Sequence, residues 1–480
     1  MTKPRILCYI VAYQAAPFIT KVLDSIPQEC WNNAQYEFTV LVSDDSSADN
    51  TSEVCDAYIR AHDLPILLHR TSHNLGYGGN QKFGYDYAIA HKFDAVILLH
   101  GDGQYDPAYI PSLIAPILFG KAQAVLGSRM LEKASALKGG MPFYKFIGNI
   151  VLTKLQNRLL RTQLAEFHTG YRAYSTAALA CIAYNSNNDG YVFDTEILIQ
   201  LLNEGFAIKE VSVSTFYGEE PCHVNGLNYA WHVFTASLSA RLHRHGFIYD
   251  PRFDTGPVHY EDKTSFASSH QFALQHVPTN SKLVADLGGS KGFVARHVKA
   301  SGRRVVGMDV QPPPPEVVKV AYDEWVQMDL NALNHVPPWS TEPDTVLLLD
   351  VIEHLIEPDA FLLYLKQRLQ PTTRVIITVP NIAFLTVRLR LLLGDFTYGT
   401  RGTLDRTHLH FYTFKTLRQA LRRAGYHIVL VKGIPAPFPL VFRSKRVSGA
   451  LLKFNQILIF ILPGLFSYQI GIVAKVSTSE

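Results

Sequence analysis

Two stretches of the chain open on the same hydrophobic pattern. The first runs Arg5-Ile-Leu-Cys-Tyr-Ile-Val-Ala12 and is followed by Phe38-Thr-Val-Leu-Val-Ser-Asp-Asp45. The second runs Lys282-Leu-Val-Ala-Asp-Leu-Gly-Gly289 and is followed by Val305-Val-Gly-Met-Asp309. Short, nearly unbroken apolar runs that end in turn residues and acids read as strands covered on both faces. Helical segments alternate with such strands in both halves, which predicts an α/β chain with two mainly parallel sheets. Residues 246–280 lack steady periodicity and are rich in Tyr, Asp, Pro, Ser and His. The junction is expected there, near Gly256-Pro257, with domains at 1–248 and 281–480 and a linker with a leading segment at 249–280. Pro312 to Pro315 reads as a stiff surface loop of the second domain.

Length agrees, since 480 residues amount to two or three domains of about 100–200 residues each. A hydrophobic content of 47% suffices for two cores. A net charge of only +4 argues against nucleic acid as partner, which needs a dense basic surface. Cys8, Cys30, Cys55, Cys181 and Cys222 are scattered and lack metal-ligand spacing, as expected of a reducing, cytoplasmic setting. The apolar run Ile457–Leu462 stops at Pro463-Gly464, well short of the about 20 residues that span a bilayer. The segment Arg443 to Leu462 mixes basic and apolar residues. It reads as a helix packed on the domain before a last strand, Tyr468 to Val476, and it also fits peripheral contact with the inner face of a membrane.

Three segments of the first half carry candidate chemistry. Ser43-Asp44-Asp45-Ser46-Ser47 ends a strand, where α/β folds bind ligands, although Ser and Asp there also cap helices. His73-Asn74-Leu75-Gly76-Tyr77-Gly78-Gly79 is a glycine-rich turn that lets a backbone approach a phosphate-bearing ligand. His100-Gly101-Asp102-Gly103-Gln104 ends a buried strand. His100, Asp102 and Gln104 alternate along it, so they can share one face and hold a divalent cation, Mn²⁺ or Mg²⁺. Such a cation neutralises a departing diphosphate.

In this order the segments resemble the family 2 glycosyltransferases with the GT-A fold, in the branch of the dolichyl-phosphate-mannose synthases. Gly127-Ser128-Arg129, Thr169-Gly170-Tyr171-Arg172, Gly190-Tyr191-Val192-Phe193-Asp194 and Tyr217-Gly218-Glu219 extend the match to about residue 240. The resemblance implies sugar transfer from a UDP- or GDP-type donor with inversion. It implies that Ala12 and Tyr13 lie along the base, that Asp44 and Asp45 with Asn74 and Gly78 border the nucleotide, and that Asp102 is the main metal-binding acid. Arg129 and Arg172 are phosphate candidates. Three positions depart from the family. His100 stands where an Asp-x-Asp motif has its first acid, and Gln14-Ala15 replaces Asn-Glu. Glu220-Pro221-Cys222-His223 replaces a Ser-Lys pair. Asp194 stands where phosphate-using relatives tend to have Gln. A hydroxyl acceptor needs a base and a phosphate does not, so Asp194 is read as that base or as a residue that positions a helix end.

In the second half, Asp286-Leu-Gly288-Gly289-Ser290-Lys-Gly292 opens a helix and Asp309 ends the next strand. Asp329 and Asp350 close further strand-like runs, and Asp350 leads into Glu353-His354-Leu355. This set resembles the class I methyltransferases, a Rossmann-like fold, with Ser290 in place of a glycine. The resemblance implies binding of S-adenosylmethionine: Asp286, Gly288, Gly289 and Gly292 at the methionine portion, Asp309 at the ribose, Asp329 at the adenine, and Asp350 beside the reactive end. Asp405-Arg406-Thr407-His408 is similar to a segment of relatives that methylate small molecules. His408 is a candidate base for an acceptor hydroxyl, or else part of a network that orders its loop.

The expectation is a bifunctional enzyme that serves one glycan pathway, with a nucleotide sugar and a glycan or lipid-linked acceptor as partners. Its rival is a methyltransferase recruited by a degenerate, non-catalytic sugar-nucleotide module.

Overall fold

The computed structural model describes residues 3–215, 225–256, 261–332, 341–442 and 444–477. The chain forms two compact units. One takes the residues up to His243 and resumes at Asp250, and the other takes Arg244–Tyr249 and the rest of the chain.

The first unit holds strands β1 (Arg5–Ala12), β2 (Glu37–Asp44), β3 (Ile66–Arg70), β4 (Ala95–His100), β5 (Ala124–Ser128), β6 (Arg172–Ser175) and β7 (Ile208–Ser212). They form one sheet in the order β3-β2-β1-β4-β6-β5-β7, in which β6 runs antiparallel to both neighbours. Side chains alternate across a strand. Ile6, Cys8 and Ile10 of β1 therefore enter one core, and Leu7 and Tyr9 enter the core on the other face. Register sets Ala12 level with Asp44 and Val11 level with His100. Three adjacent strands thus end at one edge, where parallel α/β sheets leave a crevice.

The second unit holds β8 (Leu283–Leu287), β9 (Arg304–Asp309), β10 (Glu324–Gln327), β11 (Thr345–Leu349), β12 (Arg374–Pro380), β13 (Tyr426–Ile434) and β14 (Gln469–Val476). Their order is β10-β9-β8-β11-β12-β14-β13, with β14 antiparallel to β12 and β13. Both sheets are thus mixed.

Two local readings change. Pro314 and Pro315 do not stay in a loop but start the helix Pro315–Ala321, because proline suits a first helical turn. The helix Lys445–Ile461 forms as expected, yet it turns polar residues inward. Asn455 is buried, accepts from the Ala436 N–H and donates to the Phe466 carbonyl. Phe454, Ile457 and Phe460 are exposed. Among the described residues no helix is long and apolar enough to cross a membrane. Cys8, Cys30, Cys55 and Cys181 are free thiols.

Candidate active sites

A cavity of about 1390 Å³ opens at the carboxyl edge of the first sheet. Ala12, Tyr13, Asp45, Asn74, His100, Asp102, Gln104, Arg129 and Asp194 all line it. The volume exceeds the roughly 300–1,000 Å³ of an ordinary small-molecule site and has room for a donor and an acceptor together.

Asp44 and Asp45 separate, as neighbours on an extended backbone must. Asp45 is on the wall, held by the Leu75 N–H at 2.8 Å and the Thr71 hydroxyl at 3.2 Å. Asp44 is fully buried behind it, where the Ser47 N–H and the Ser52 hydroxyl hold it. A turn N–H and a side-chain hydroxyl therefore account for Asp44, which caps no helix, since the N-cap of the helix that follows is Asn50. Gly78 also has an internal partner. Its N–H donates to the Asp189 carbonyl, and a Cβ there would stand 2.5 Å from the Asn188 carbonyl oxygen. This glycine lets a helix meet a turn, and the cavity wall does not include it.

At the end of β4, His100 Nδ1 lies 3.9 Å from Asp102 Oδ2. Asp102 is only half-buried, and its other oxygen accepts from the Gln104 N–H at 2.9 Å. His100 Nε2 is 3.4 Å from the Tyr77 hydroxyl, which donates to Asp194 Oδ2 at 3.0 Å. With the tyrosine proton given to Asp194, Nε2 carries the ring proton and Nδ1 presents its lone pair toward Asp102. Burial lowers the His100 pKa against the pull of Asp102 and Asp194, so the imidazole is neutral near pH 7. A neutral nitrogen and a carboxylate 3.9 Å apart fit one divalent ion with bonds of about 2.1 Å. Gly170 seats the ring, since a Cβ there would come within 2.6 Å of His100 Nε2.

Asp194 is buried at the first turn of the helix Phe193–Asn203. Gln81 donates to Asp194 Oδ1 at 3.1 Å, and Arg172 Nη2 lies 3.4 Å from Oδ2. Arg172 is completely buried and also donates to the carbonyls of Thr169, Phe167 and Asp194. Its donors thus go to the protein interior, and its role is to hold Asp194 and the loop before β6. Arg129 reaches the cavity, but its guanidinium is engaged by Glu166 and by the His168 carbonyl. Burial opposes the charge on Glu166, and Arg129 with Asn149 outweighs it, keeping that carboxyl below its ordinary pKa.

Breaking a buried pair leaves an uncompensated charge, which costs about 3–5 kcal/mol. Arg172→Met is expected to destabilise the first unit by about that much, read as an earlier urea transition. Arg172→Lys keeps the charge but loses the fork and should fall between the two. A first transition at the wild-type denaturant concentration would refute the pairing.

In the second unit, Asp286 (β8), Asp309 (β9) and Asp350 (after β11) lie at the carboxyl ends of adjacent strands, and Asp329 follows β10. Gly288 has φ +77°, and a Cβ there would meet Val351 Cγ2 at 2.5 Å. Its N–H is turned back to the Met308 carbonyl. Gly289 continues the turn, and Gly292 caps the helix Phe293–Ala300. A Cβ at Gly289 would meet Tyr322 and Asp286 and one at Gly292 would meet Ala321, so these glycines, like Gly78, let the backbone turn pack closely against its own neighbours. Asp286 is buried and receives the Tyr322 hydroxyl at 3.1 Å, and burial raises its pKa to about 6. Asp309 accepts from the Ser290 N–H at 3.2 Å, so the residue in the glycine's place closes the loop with its backbone. Asp329 accepts from the Asn331 N–H. Asp350 has φ +57° and is held by Thr378 and Gln469. His408 Nδ1 lies 3.1 Å from the Thr403 carbonyl, and its ring meets that of His354 edge-on at 4.7 Å.

Tyr77, Gln81 and Glu166 were not anticipated. Tyr77 and Gln81 lie one helical turn apart, a spacing that puts both on one face. Tyr217-Gly218-Glu219 and Glu220 to His223, including Cys222, lie outside the described residues, as do Pro257 and Arg443.

Residues 8–183 match the family described as Glycosyl transferase family 2, and residues 259–431 match the Methyltransferase domain family. Both domains are those of enzymes. An uncharacterised protein of Methanocaldococcus jannaschii is 29% identical over 219 residues, covering 46% of this chain and 84% of that protein. A UDP-N-acetylglucosamine–dolichyl-phosphate N-acetylglucosaminyltransferase of Methanococcus voltae is 25% identical over 230 residues, covering 46% of this chain and 88% of the relative. A SAM-dependent methyltransferase structure from Archaeoglobus fulgidus aligns with a TM-score of 0.30 at 19% identity, covering 44% of this chain and 97% of that one.

Proposed function

We propose that this chain, a family 2 glycosyltransferase domain joined to a methyltransferase domain, is a bifunctional enzyme of glycan or glycolipid assembly. The first domain transfers a sugar from a UDP- or GDP-type donor with inversion, and the second methylates the glycan or its carrier from S-adenosylmethionine. The observation that carries the reading is the group His100, Asp102 and Asp194 on the wall of one large cavity. Asp45, Tyr13 and Asn74 bind the nucleoside. His100 and Asp102, with Gln104 beside them, hold a divalent ion that offsets charge on the leaving diphosphate, and the imidazole favours Mn²⁺ over Mg²⁺. Asp194, oriented by Tyr77, Gln81 and Arg172, accepts the proton of a hydroxyl acceptor. The relative from Methanococcus voltae, whose name gives a dolichyl phosphate acceptor, favours a lipid phosphate instead, which would leave Asp194 to position the acceptor.

In the second domain Asp286 and the Gly288–Gly292 turn receive the methionine portion of the methyl donor. Asp309 and Asp329 receive the nucleoside, and His408 helps to activate the acceptor hydroxyl. Exposed Phe454, Ile457 and Phe460 supply an apolar surface for peripheral contact with a membrane that carries a lipid-linked acceptor.

Calorimetric titration of the full chain with S-adenosylmethionine and a panel of UDP- and GDP-sugars, each with Mn²⁺, tests the reading. Both ligand classes are expected to bind independently. Binding of the methyl donor with no sugar nucleotide bound would exclude the glycosyltransferase reading.

A further inference from the structure

After β11 the chain makes a short turn that carries Glu353 and His354, and residues 403–410 fold over it. The Glu353 carbonyl accepts the N–H groups of Leu409 and His410 at 2.8 and 3.1 Å, so this backbone contact fixes one segment on the other. The contact brings together side chains more than 50 residues apart in sequence. One ligand atom each of Glu353, His354 and His408 lies within 4.8 Å of the others.

Three features set this group apart from an ordinary polar cluster. First, Glu353 is buried, and neither carboxylate oxygen has a hydrogen-bond partner. An ionised carboxylate in that position is costly unless a positive charge faces it. Second, His354 Nδ1 is 3.1 Å from the Thr407 carbonyl and His408 Nδ1 is 3.1 Å from the Thr403 carbonyl. A carbonyl accepts only from N–H, so both Nδ1 atoms carry the ring proton and both Nε2 atoms keep the lone pair. A backbone carbonyl on the far nitrogen is the arrangement that orients histidines as metal ligands. Third, Asp350, the acid nearest in sequence, is already bonded to Thr378 and Gln469 and does not compete.

We propose that Glu353, His354 and His408 bind a divalent transition-metal ion whose open positions take the hydroxyl of the methyl acceptor. Two imidazoles and one carboxylate suit Mn²⁺, Fe²⁺ or Zn²⁺ better than Mg²⁺. Bonds of about 2.1 Å draw the three atoms together through small side-chain rotations. The role in methyl transfer rests on the proposed methyltransferase activity. Held there, the acceptor hydroxyl loses its proton to solvent and its oxygen bonds the methyl carbon. The carbon–sulfur bond of the donor breaks, leaving S-adenosylhomocysteine. His408 then acts through the ion rather than by taking the proton itself.

The test is titration of the full chain with Mn²⁺ alone, followed by the loss of the free-ion electron paramagnetic signal. S-adenosylmethionine binding is measured calorimetrically on the same preparations. The expected result is one Mn²⁺ that survives Asp102→Ala, weakens at least tenfold in both Glu353→Gln and His408→Asn, and shows nitrogen couplings from two imidazoles. Should the buried Glu353→Gln variant fail to fold, His408→Asn and the nitrogen couplings decide alone. Identical isotherms for wild type and His408→Asn, with the methyl donor still bound, would overturn the metal site and spare the methyltransferase reading. Mn²⁺ bound at these residues without binding of the methyl donor would establish the site and sink that reading.

Discussion

Asp102→Ala is expected to lower glycosyl transfer by about 10³-fold or more, equivalent to about 4 kcal/mol of lost transition-state stabilisation. The magnitude comes from what the residue does. On the proposed reading a diphosphate leaves with its charge rising, and a divalent ion at the end of β4 would offset it there. His100 alone cannot retain that ion, because a single neutral imidazole is a weak site. The change should cost little stability, since Asp102 is half-buried and accepts from the N–H of Gln104 in the same turn. Methyl transfer by the second domain should be unchanged, which separates loss of chemistry from loss of fold. Initial rates with a radiolabelled sugar nucleotide measure the first effect, and label from the methyl donor measures the second. Sugar transfer that persists in Asp102→Ala would show that His100 and Asp102 hold no essential ion.

Asp286→Asn should weaken S-adenosylmethionine binding at least 100-fold while making the free protein more stable at neutral pH. Both effects come from one buried carboxylate. S-adenosylmethionine is a cation at its ammonium and sulfonium groups, and on the proposed reading Asp286 would supply the charge-assisted acceptor. Without ligand, burial raises the Asp286 pKa from 3.8 to about 6, with the Tyr322 hydroxyl only partly offsetting it. Between those values the folded chain holds a proton that the unfolded chain has lost. Stability from this group is therefore greatest below about pH 4 and falls as the pH rises through 6, by on the order of 3 kcal/mol. Asparagine does not titrate, so the stability difference between variant and wild type should shift in favour of the variant by that order between pH 4 and 7. Urea unfolding of the second unit at several pH values, with calorimetry of methyl-donor binding, measures both. A difference that stays flat with pH would show that Asp286 is not a strained carboxylate. A variant that binds the donor normally would remove it from the site.

The alternation of apolar runs and acids made both sheets legible, because a strand buried on both faces leaves a continuous hydrophobic signature. Asp102, Asp194, Asp286 and Asp350 were legible for a related reason: each sits at or just past a strand, or at a helix start. Arg172 is different. An arginine two residues beyond a glycine reads as a phosphate ligand, but only the packing of β6 between β4 and β5 buries it against Asp194. The glycine signal at Gly78 had the same limit, since glycine marks a close approach without saying what approaches.

What the sequence determines by itself is therefore local or periodic: two α/β units, their order, and the strand ends at which chemistry gathers. Tertiary structure alone decides which side chains meet. The link from His100 through Tyr77 to Asp194 joins three separate elements, and Glu353 meets His408 only because a distant loop bonds to its carbonyl. Burial decides the rest, because the same carboxylate is half-buried on a cavity wall at Asp102, a strained acid at Asp286 and an internal hydrogen-bond acceptor at Asp44. Protonation and partner depend on the local dielectric and on neighbours brought in by folding, and no spacing along the chain encodes those.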